Sequence, residues 1–372
     1  MKHYARLALL TGLLATSSQA APFMAVGDNA ELFVTASAAV QSDDNIYLSS
    51  SSKSDTVFSF TPGLDLVFGK GSATTGDVYY REEIRRYSTH TKQNTELANV
   101  GATASYTNGV TKANFNASYN EIAQNQVGAT LSSDIARRNV TNLGGKTEFG
   151  VTGKSSVAIG VSYVKTDYVP TAFTSSDVVS IPVDFFYQYS PKLEWSAGYT
   201  YRSSKLTGSA IDNRDNFFNL GARGEFTPKL TGQVKFGYTQ RSFDKGANQS
   251  LFGMDANLTY LYSEKTTLLF NASNDFGNSG TGDNTKNFTL GASASSKLSE
   301  QWSLNAGLSR RAIQYPTRTD DYIEGSIGAA YAYNQYLNFS ANYIYRNNSS
   351  NKASAGSEFT NNVFSLGASV RY

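Results

Sequence analysis

The side chains that most often perform catalysis are scarce in this sequence. Cysteine is absent, and the only histidines are His3 and His90. A serine or cysteine nucleophile needs a histidine, or another base, within hydrogen-bond reach. His90 lies in the segment Tyr87-Ser88-Thr89-His90-Thr91, which has no aspartate beside the histidine and no phospholipase-like motif. We therefore predict that the protein has no catalytic residues and is not an enzyme.

Two pairs of adjacent carboxylates, Asp43-Asp44 and Asp320-Asp321, are the best candidates for binding a metal ion. Carboxylate oxygens are calcium ligands, but each pair lies at the edge of a predicted loop, where solvated acids are common. Metal sites built on thiolates or clustered imidazoles are excluded by the composition. We predict no metal and no cofactor, and a calcium contact at an aspartate pair is the alternative.

The first twenty residues follow the pattern of an export signal. Lys2 and Arg6 supply positive charge, residues 7–15 are apolar, and Ser18-Gln19-Ala20 places small residues before Ala21. This order is typical of a secretory signal peptide, and the apolar core is too short to cross a bilayer as a helix. We predict a signal peptide at residues 1–20 and a single domain at residues 21–372.

The composition indicates strands that face lipid on one side and water on the other. Charged residues make up 17% of the chain, against roughly 25% in an average soluble domain. Aromatic residues make up 13%, with 24 tyrosines and 22 phenylalanines, which suits lipid-facing strands with a polar inner face. The net charge of +2 gives no indication of a nucleic-acid partner.

Apolar and polar residues alternate along most of the mature chain. In residues 230–238, Val234, Phe236 and Tyr238 alternate with polar or small residues. A period of two places one set of side chains on each face of a strand. Eighteen strands are predicted, an even number as in single-chain bacterial barrels: 31–41, 55–68, 76–87, 96–107, 110–121, 140–152, 155–166, 177–190, 192–203, 214–227, 229–243, 250–263, 265–276, 286–298, 300–313, 321–333, 336–347 and 359–371.

The connections between these strands fall into two classes. After even-numbered strands they are mostly tight turns, such as Gly153-Lys154 and Pro228-Lys229, and after odd-numbered strands they are longer and polar. This segregation predicts an all-β fold, an antiparallel transmembrane up-and-down β-barrel of about 18 strands with both termini periplasmic. The longest loop, 122–139, either folds inward as a constriction or is an ordinary extracellular loop.

Aromatic residues mark the predicted membrane boundary and the end of the chain. Seven lie beside tight turns, where an interfacial girdle is expected: Tyr106, Tyr189, Trp195, Phe226, Tyr262, Trp302 and Tyr333. The last strand alternates and ends on an aromatic residue, through Phe364, Leu366, Ala368, Val370 and Tyr372. This ending resembles the signal that the outer-membrane barrel assembly machinery recognises. The alternative is a plain amphipathic closing strand.

Charged residues of the opposite parity are predicted to face the lumen, because a charge on the lipid face costs roughly 2–4 kcal/mol at the membrane midplane. They are Arg81, Glu83, Arg85, Lys112, Lys146, Glu148, Asp184, Glu194, Arg202, Arg223, Glu225, Lys235, Arg241, Asp255, Arg311, Glu324, Arg346 and Arg371. Eighteen strands enclose a lumen too wide for strand side chains to fill, so a water-filled channel is expected. The excess of basic residues in the set predicts a weak preference for anions.

Three stretches resemble the β-barrel porin type 2 family: Asp43-Asp44-Asn45-Ile46-Tyr47, then Lys53-Ser54-Asp55-Thr56-Val57 leading into Thr61-Pro62-Gly63-Leu64, and the segment 221–232. The resemblance implies an integral outer-membrane channel that takes part in exopolysaccharide export, with outer-membrane lipid and polysaccharide export components as partners. It brings no catalytic residues. Two alternatives stay open, namely a passive diffusion porin for small solutes and a surface receptor or adhesin that acts through its loops.

Overall fold

The computed structural model describes residues 21–208, 210–352 and 358–372, and the predicted signal peptide lies outside them. Nineteen strands form one sheet. They are β1 (Met24–Val26), β2 (Ala30–Asp43), β3 (Asp55–Phe68), β4 (Thr74–Tyr87), β5 (Thr95–Asn108), β6 (Thr111–Ala123), β7 (Arg137–Thr152), β8 (Ser155–Tyr168), β9 (Ser176–Ser190), β10 (Leu193–Leu206), β11 (Asn213–Thr227), β12 (Leu230–Phe243), β13 (Gln249–Leu261), β14 (Thr266–Asn278), β15 (Asn284–Lys297), β16 (Trp302–Gln314), β17 (Thr319–Ala332), β18 (Leu337–Ser350) and β19 (Phe359–Arg371).

The sheet closes on itself. Each long strand pairs antiparallel with the next in the chain, and β19 pairs with β2 from Arg371 opposite Thr35 to Val363 opposite Asp43. Closure leaves no unpaired edge among the eighteen long strands, which is what a membrane interior requires. The predicted eighteen-stranded antiparallel up-and-down barrel is therefore confirmed.

Two elements depart from the sequence prediction. The three-residue strand β1 pairs with the start of β2 and was not predicted. A single 3-10 turn, Thr91–Gln93, interrupts the loop between β4 and β5. Both are too short to give a periodic signal, since alternation becomes recognisable only over four or more residues. No helix among the described residues is long and apolar enough to cross a membrane.

The outer face of the barrel is apolar. Large hydrophobic side chains are exposed on every long strand, mostly with a single parity along each strand, and Leu220 in the middle of β11 is 70% exposed. Six of the seven predicted girdle residues are exposed beside tight turns, whereas Phe226 is half-buried. Phe364, Leu366, Val370 and Tyr372 are exposed on the outer face of β19. Recognition of this ending by the assembly machinery stays a prediction.

The two ends of the barrel differ. Tight turns connect β5 to β6, β7 to β8 and β9 to β10 at one end, which we call the short-turn end. The other end carries the longer loops, such as 44–54 and 124–136, and we call it the long-loop end. Both described termini lie at the short-turn end, where Val34 and Tyr372 exchange two backbone hydrogen bonds of 2.7 and 2.9 Å. The periplasmic location of this end stays a prediction.

Candidate channel lumen and its mouth

Inward-facing charges on the wall from β10 to β14 form a buried network. Asp215 accepts hydrogen bonds from Arg202 Nε at 2.6 Å and from Arg241 Nε and Nη2 at 2.6 and 2.8 Å. Arg202 also donates to Asp275 at 2.6 Å. Arg241 is 1% exposed and Asp215 is 2% exposed. The predicted arginines thus depend on two carboxylates, Asp215 and Asp275, that the sequence prediction omitted.

A second network occupies the wall from β7 to β12. Arg223 donates two hydrogen bonds to Glu148, at 2.7 and 2.5 Å, and one to Glu194 at 2.5 Å. Its guanidinium lies 3.3 Å from the centroid of the Phe186 ring, a cation–π contact. Lys235 pairs with Asp184 at 2.6 Å, and both are buried. Because Glu148 on β7 and Arg223 on β11 are four strands apart, these side chains reach over the intervening wall and narrow the lumen.

The remaining predicted lumen residues are spread along the wall. Short ion pairs hold Arg81 to Asp65, Arg85 to Glu83 and Arg346 to Glu324. Glu225 pairs with Lys192 beside the turn at the short-turn end.

Other basic lumen residues have no carboxylate partner within the described part of the chain. Among the described residues Lys112 and Lys146 form no ion pair, and Arg311 and Arg371 instead lie over the rings of Tyr322 and Phe33. Asp255 lies in the middle of β13, opposite Lys235. The charges therefore belong to several local groups rather than to one site.

At the long-loop end, the loop 44–54 folds into the barrel. Ile46, Tyr47 and Leu48 are buried, and the first two pack with side chains of the wall and of loop 124–136. Asn45 holds the turn, because its side chain donates to the carbonyls of Ser49 and Thr360 and accepts from the Ser49 amide. The motif Asp43 to Tyr47, one of the stretches that carry the family resemblance, thus builds part of a closure.

Loop 124–136 lies over the same opening. Asn125 is 1% exposed, and its side chain donates to the carbonyls of Tyr47, Leu131 and Asp134 and accepts from the Ala136 amide. One amide group therefore joins the two loops. We call residues 44–54 and 124–136 together the lid. The inward alternative for the longest loop is what the structure shows.

The candidate catalytic and metal residues all have structural partners. The Asp55 carboxylate accepts hydrogen bonds from the Thr89 and His90 amides and lies 2.8 Å from His90 Nδ1. Asp43 accepts from Asn361, and Asp44 accepts from the backbone and side chain of Asn362. These contacts fix the loops at the rim. Neutral donors thus satisfy Asp43 and Asp44, whereas in the other candidate pair Asp320 is bound by Arg318 and Asp321 by Arg310.

The lid depends on Asn125, and the variant Asn125→Ala tests this. We expect amide hydrogen exchange in residues 124–136 to accelerate about ten- to hundredfold, since buried groups left unpaired cost about 1–3 kcal/mol. Hydrogen–deuterium exchange with mass spectrometry measures the change. Asn347→Ala is the matched control, because the Asn347 side chain donates only to the Thr360 hydroxyl at 3.1 Å, an exposed contact, and to the Phe359 carbonyl at 3.5 Å. Equal exchange in both variants would contradict the role of Asn125.

Comparison with known proteins places the fold in a recognised group. The sequence profile of the family described as "Putative beta-barrel porin 2" matches residues 21–372. No curated protein sequence matches the chain. OccAB2 from Acinetobacter baumannii is similar with 12% identity and a TM-score of 0.50, over 93% of this chain and 98% of that one. OpdK from Pseudomonas aeruginosa is similar with 9% identity and a TM-score of 0.47, over 92% and 99%. At these identities the likeness is one of fold.

Proposed function

Because the chain belongs to the beta-barrel porin 2 family, and is therefore a porin-like channel integral to the bacterial outer membrane, we propose that it serves passive diffusion of small solutes. The observation that supports this proposal is a closed barrel of eighteen strands whose inner wall carries charged and polar side chains. A barrel of this size encloses more space than its strand side chains fill. A channel role requires no catalytic group.

A role in exopolysaccharide export gains no support from the lumen. Passage of a sugar chain favours exposed aromatic rings along the path, because such rings stack on pyranose faces. The inward rings of Phe186 and Phe276 are buried, and the guanidinium groups of Arg223 and Arg241 lie over them. The ion pairs between distant strands also narrow the path that a polymer would need. Small solutes fit this lumen better.

Solute flux through purified protein tests the proposal. The barrel is reconstituted in planar bilayers and in liposomes, and conductance and sugar-driven swelling are measured. We expect discrete ion conductance and swelling that falls as the sugar becomes larger. A folded protein that passes neither ions nor sugars would contradict the channel. A lid that binds a specific surface ligand, without flux, would favour the receptor alternative.

The lumen should prefer anions weakly. Lys112 lies opposite Glu148 in the strand register, but Glu148 is held by Arg223, and neither Lys112 nor Lys146 forms an ion pair among the described residues. Free lysines raise the local anion concentration. In a salt gradient, the variant Lys112→Gln/Lys146→Gln should lower the anion-to-cation permeability ratio by roughly twofold through the loss of this positive potential. The reversal potential measures the ratio.

The matched control for this experiment is Lys165→Gln. Lys165 follows the parity of the exposed residues Ile159 and Val161 and pairs with Asp167 at 3.0 Å, on the outside of the barrel. Its removal should leave the reversal potential unchanged. If the control variant shifts the potential as much as the lumen variant does, the proposed anion path is wrong.

A further inference from the structure

Two loops from nearly opposite points of the barrel meet over its mouth. The lid segment 124–136 joins β6 to β7, and the loop 279–283 joins β14 to β15. Eight strands, β7 to β14, separate them on one side of the ring, and ten separate them on the other. Loops that stayed at the rim would remain near their own strands. A contact between these two loops therefore spans the opening of the barrel.

The tips of these loops touch closely. A Cβ built on Gly128 would lie 3.4 Å from the Cβ of Ser279 and 2.7 Å from the hydroxyl of Tyr315. A Cβ built on Gly280 would lie 2.5 Å from the Cβ of Ala129, which is fully buried. Only glycine permits this approach. We call the contact of residues 128–129 with residues 279–280 the seam.

The seam is held differently from the bases of the loops. At its base the lid is fixed by the buried hydrogen bonds of Asn45 and Asn125. Across the seam, the described residues form no hydrogen bond and no ion pair, and the side chains that meet there are small. Loop 279–283 is instead fixed by its own backbone hydrogen bonds, from the Ser279 amide to the Asp283 carbonyl and from the Gly282 amide to the Ser279 carbonyl, and by the loop between β8 and β9, where the Thr174 amide donates to the Gly280 carbonyl at 2.7 Å. Parting the seam therefore breaks only packing contacts.

We propose that the structure represents the closed state of the channel and that solutes enter when the lid parts at the seam. This inference rests on the proposed channel function. Gly128 adopts a φ of +81° and Gly282 a φ of +84°, and glycine at such positions leaves the loop backbone free to take other conformations. The hydrogen-bonded base then keeps the lid attached while its tip moves. Openings of loops of this kind occur on microsecond to second timescales.

A reversible disulfide across the seam tests whether opening of the lid controls conduction. The chain contains no cysteine, so the variant Gly128→Cys/Ser279→Cys introduces the only two thiols. Their Cβ atoms would be 3.4 Å apart, close to the roughly 3.5–4.5 Å found in disulfides. We expect oxidation to abolish most of the conductance in planar bilayers and reductant to restore it. The single variants Gly128→Cys and Ser279→Cys control for strain at the glycine, and should respond to neither treatment.

A second variant distinguishes the opening of the lid from the channel function itself. Replacing residues 127–131 by a shorter link should increase the open fraction and abolish any effect of oxidant. If the disulfide forms and conductance is unchanged, or if the shortened variant conducts no more than the wild-type protein, the proposed opening of the lid is overturned while the channel function stands. If neither the wild-type protein nor the shortened variant conducts although both are folded, the channel function itself fails.

Discussion

Replacing Arg241 with alanine is expected to lower the free energy of unfolding of the barrel by about 3–5 kcal/mol, the range seen when one partner of a buried ion pair is removed. The Arg241 side chain satisfies both oxygens of Asp215 and also donates to the Gly277 carbonyl and to Asn284. Its loss leaves a buried carboxylate with Arg202 as its remaining guanidinium partner. The end of β14 loses its attachment to the wall at the same time.

The measurement is urea unfolding of protein folded into lipid vesicles, monitored by the fluorescence of Trp195 and Trp302. Arg214→Ala provides the matched control on the neighbouring strand. Arg214 pairs with Asp244 at 3.1 Å, and both side chains are about half-exposed, so its loss should cost at most about 1 kcal/mol. Equal losses in the two variants would show that burial of the Arg241 network contributes no extra stability.

The barrel itself could be predicted from the sequence because its signals are local. Alternation with a period of two persists through strands such as β12, where Val234, Phe236 and Tyr238 face outward. Turn residues such as Pro228 and Lys229 end the strands and fix which connections are tight. Strand number follows from counting, and closure follows because a membrane interior tolerates no open edge.

The partners inside the lumen could not be predicted in the same way. Parity assigns Arg202 and Arg241 to the inner face, but it carries no information about which carboxylate several strands away lies within reach. Asp275 contacts Arg202 across the strands between β10 and β14. Such pairs depend on the shape of the closed barrel, which no local period encodes.

The sequence allowed the longest loop to fold inward, but the prediction did not include loop 44–54 in the lid. The Asp43 to Tyr47 motif was recognised only through its family resemblance, and its buried role depends on contacts with residues far along the chain. The Asn45 side chain bonds to the Thr360 carbonyl, and Asn125 bonds to the Tyr47 carbonyl. A signal was nevertheless present, because apolar Ile46, Tyr47 and Leu48 are unusual in a solvated loop. A run of this kind between polar residues favours a loop that folds inward.

The second large effect is expected from a charge placed on the outer face of the barrel. Leu220→Arg is expected to destabilise the barrel by about 2–4 kcal/mol, because it places a charge at the membrane midplane on the lipid side. Leu220 is the central residue of β11 and is 70% exposed. In a water-soluble barrel the same exposure would make the substitution almost neutral, so the effect depends on the surrounding lipid. Urea unfolding from lipid vesicles measures the loss.

The control variant must differ in the depth of the substituted residue within the membrane, while the exposure of that residue stays nearly the same. Val110→Arg introduces the same charge at a residue that is 72% exposed, but in the tight turn between β5 and β6. Near the interface an arginine costs about 0–1 kcal/mol, so Val110→Arg should unfold almost as the wild type does. The difference between the two variants then reports the lipid environment of β11, because exposure is nearly equal at both positions. If Leu220→Arg were as stable as Val110→Arg, the apolar face of β11 would not contact the membrane interior.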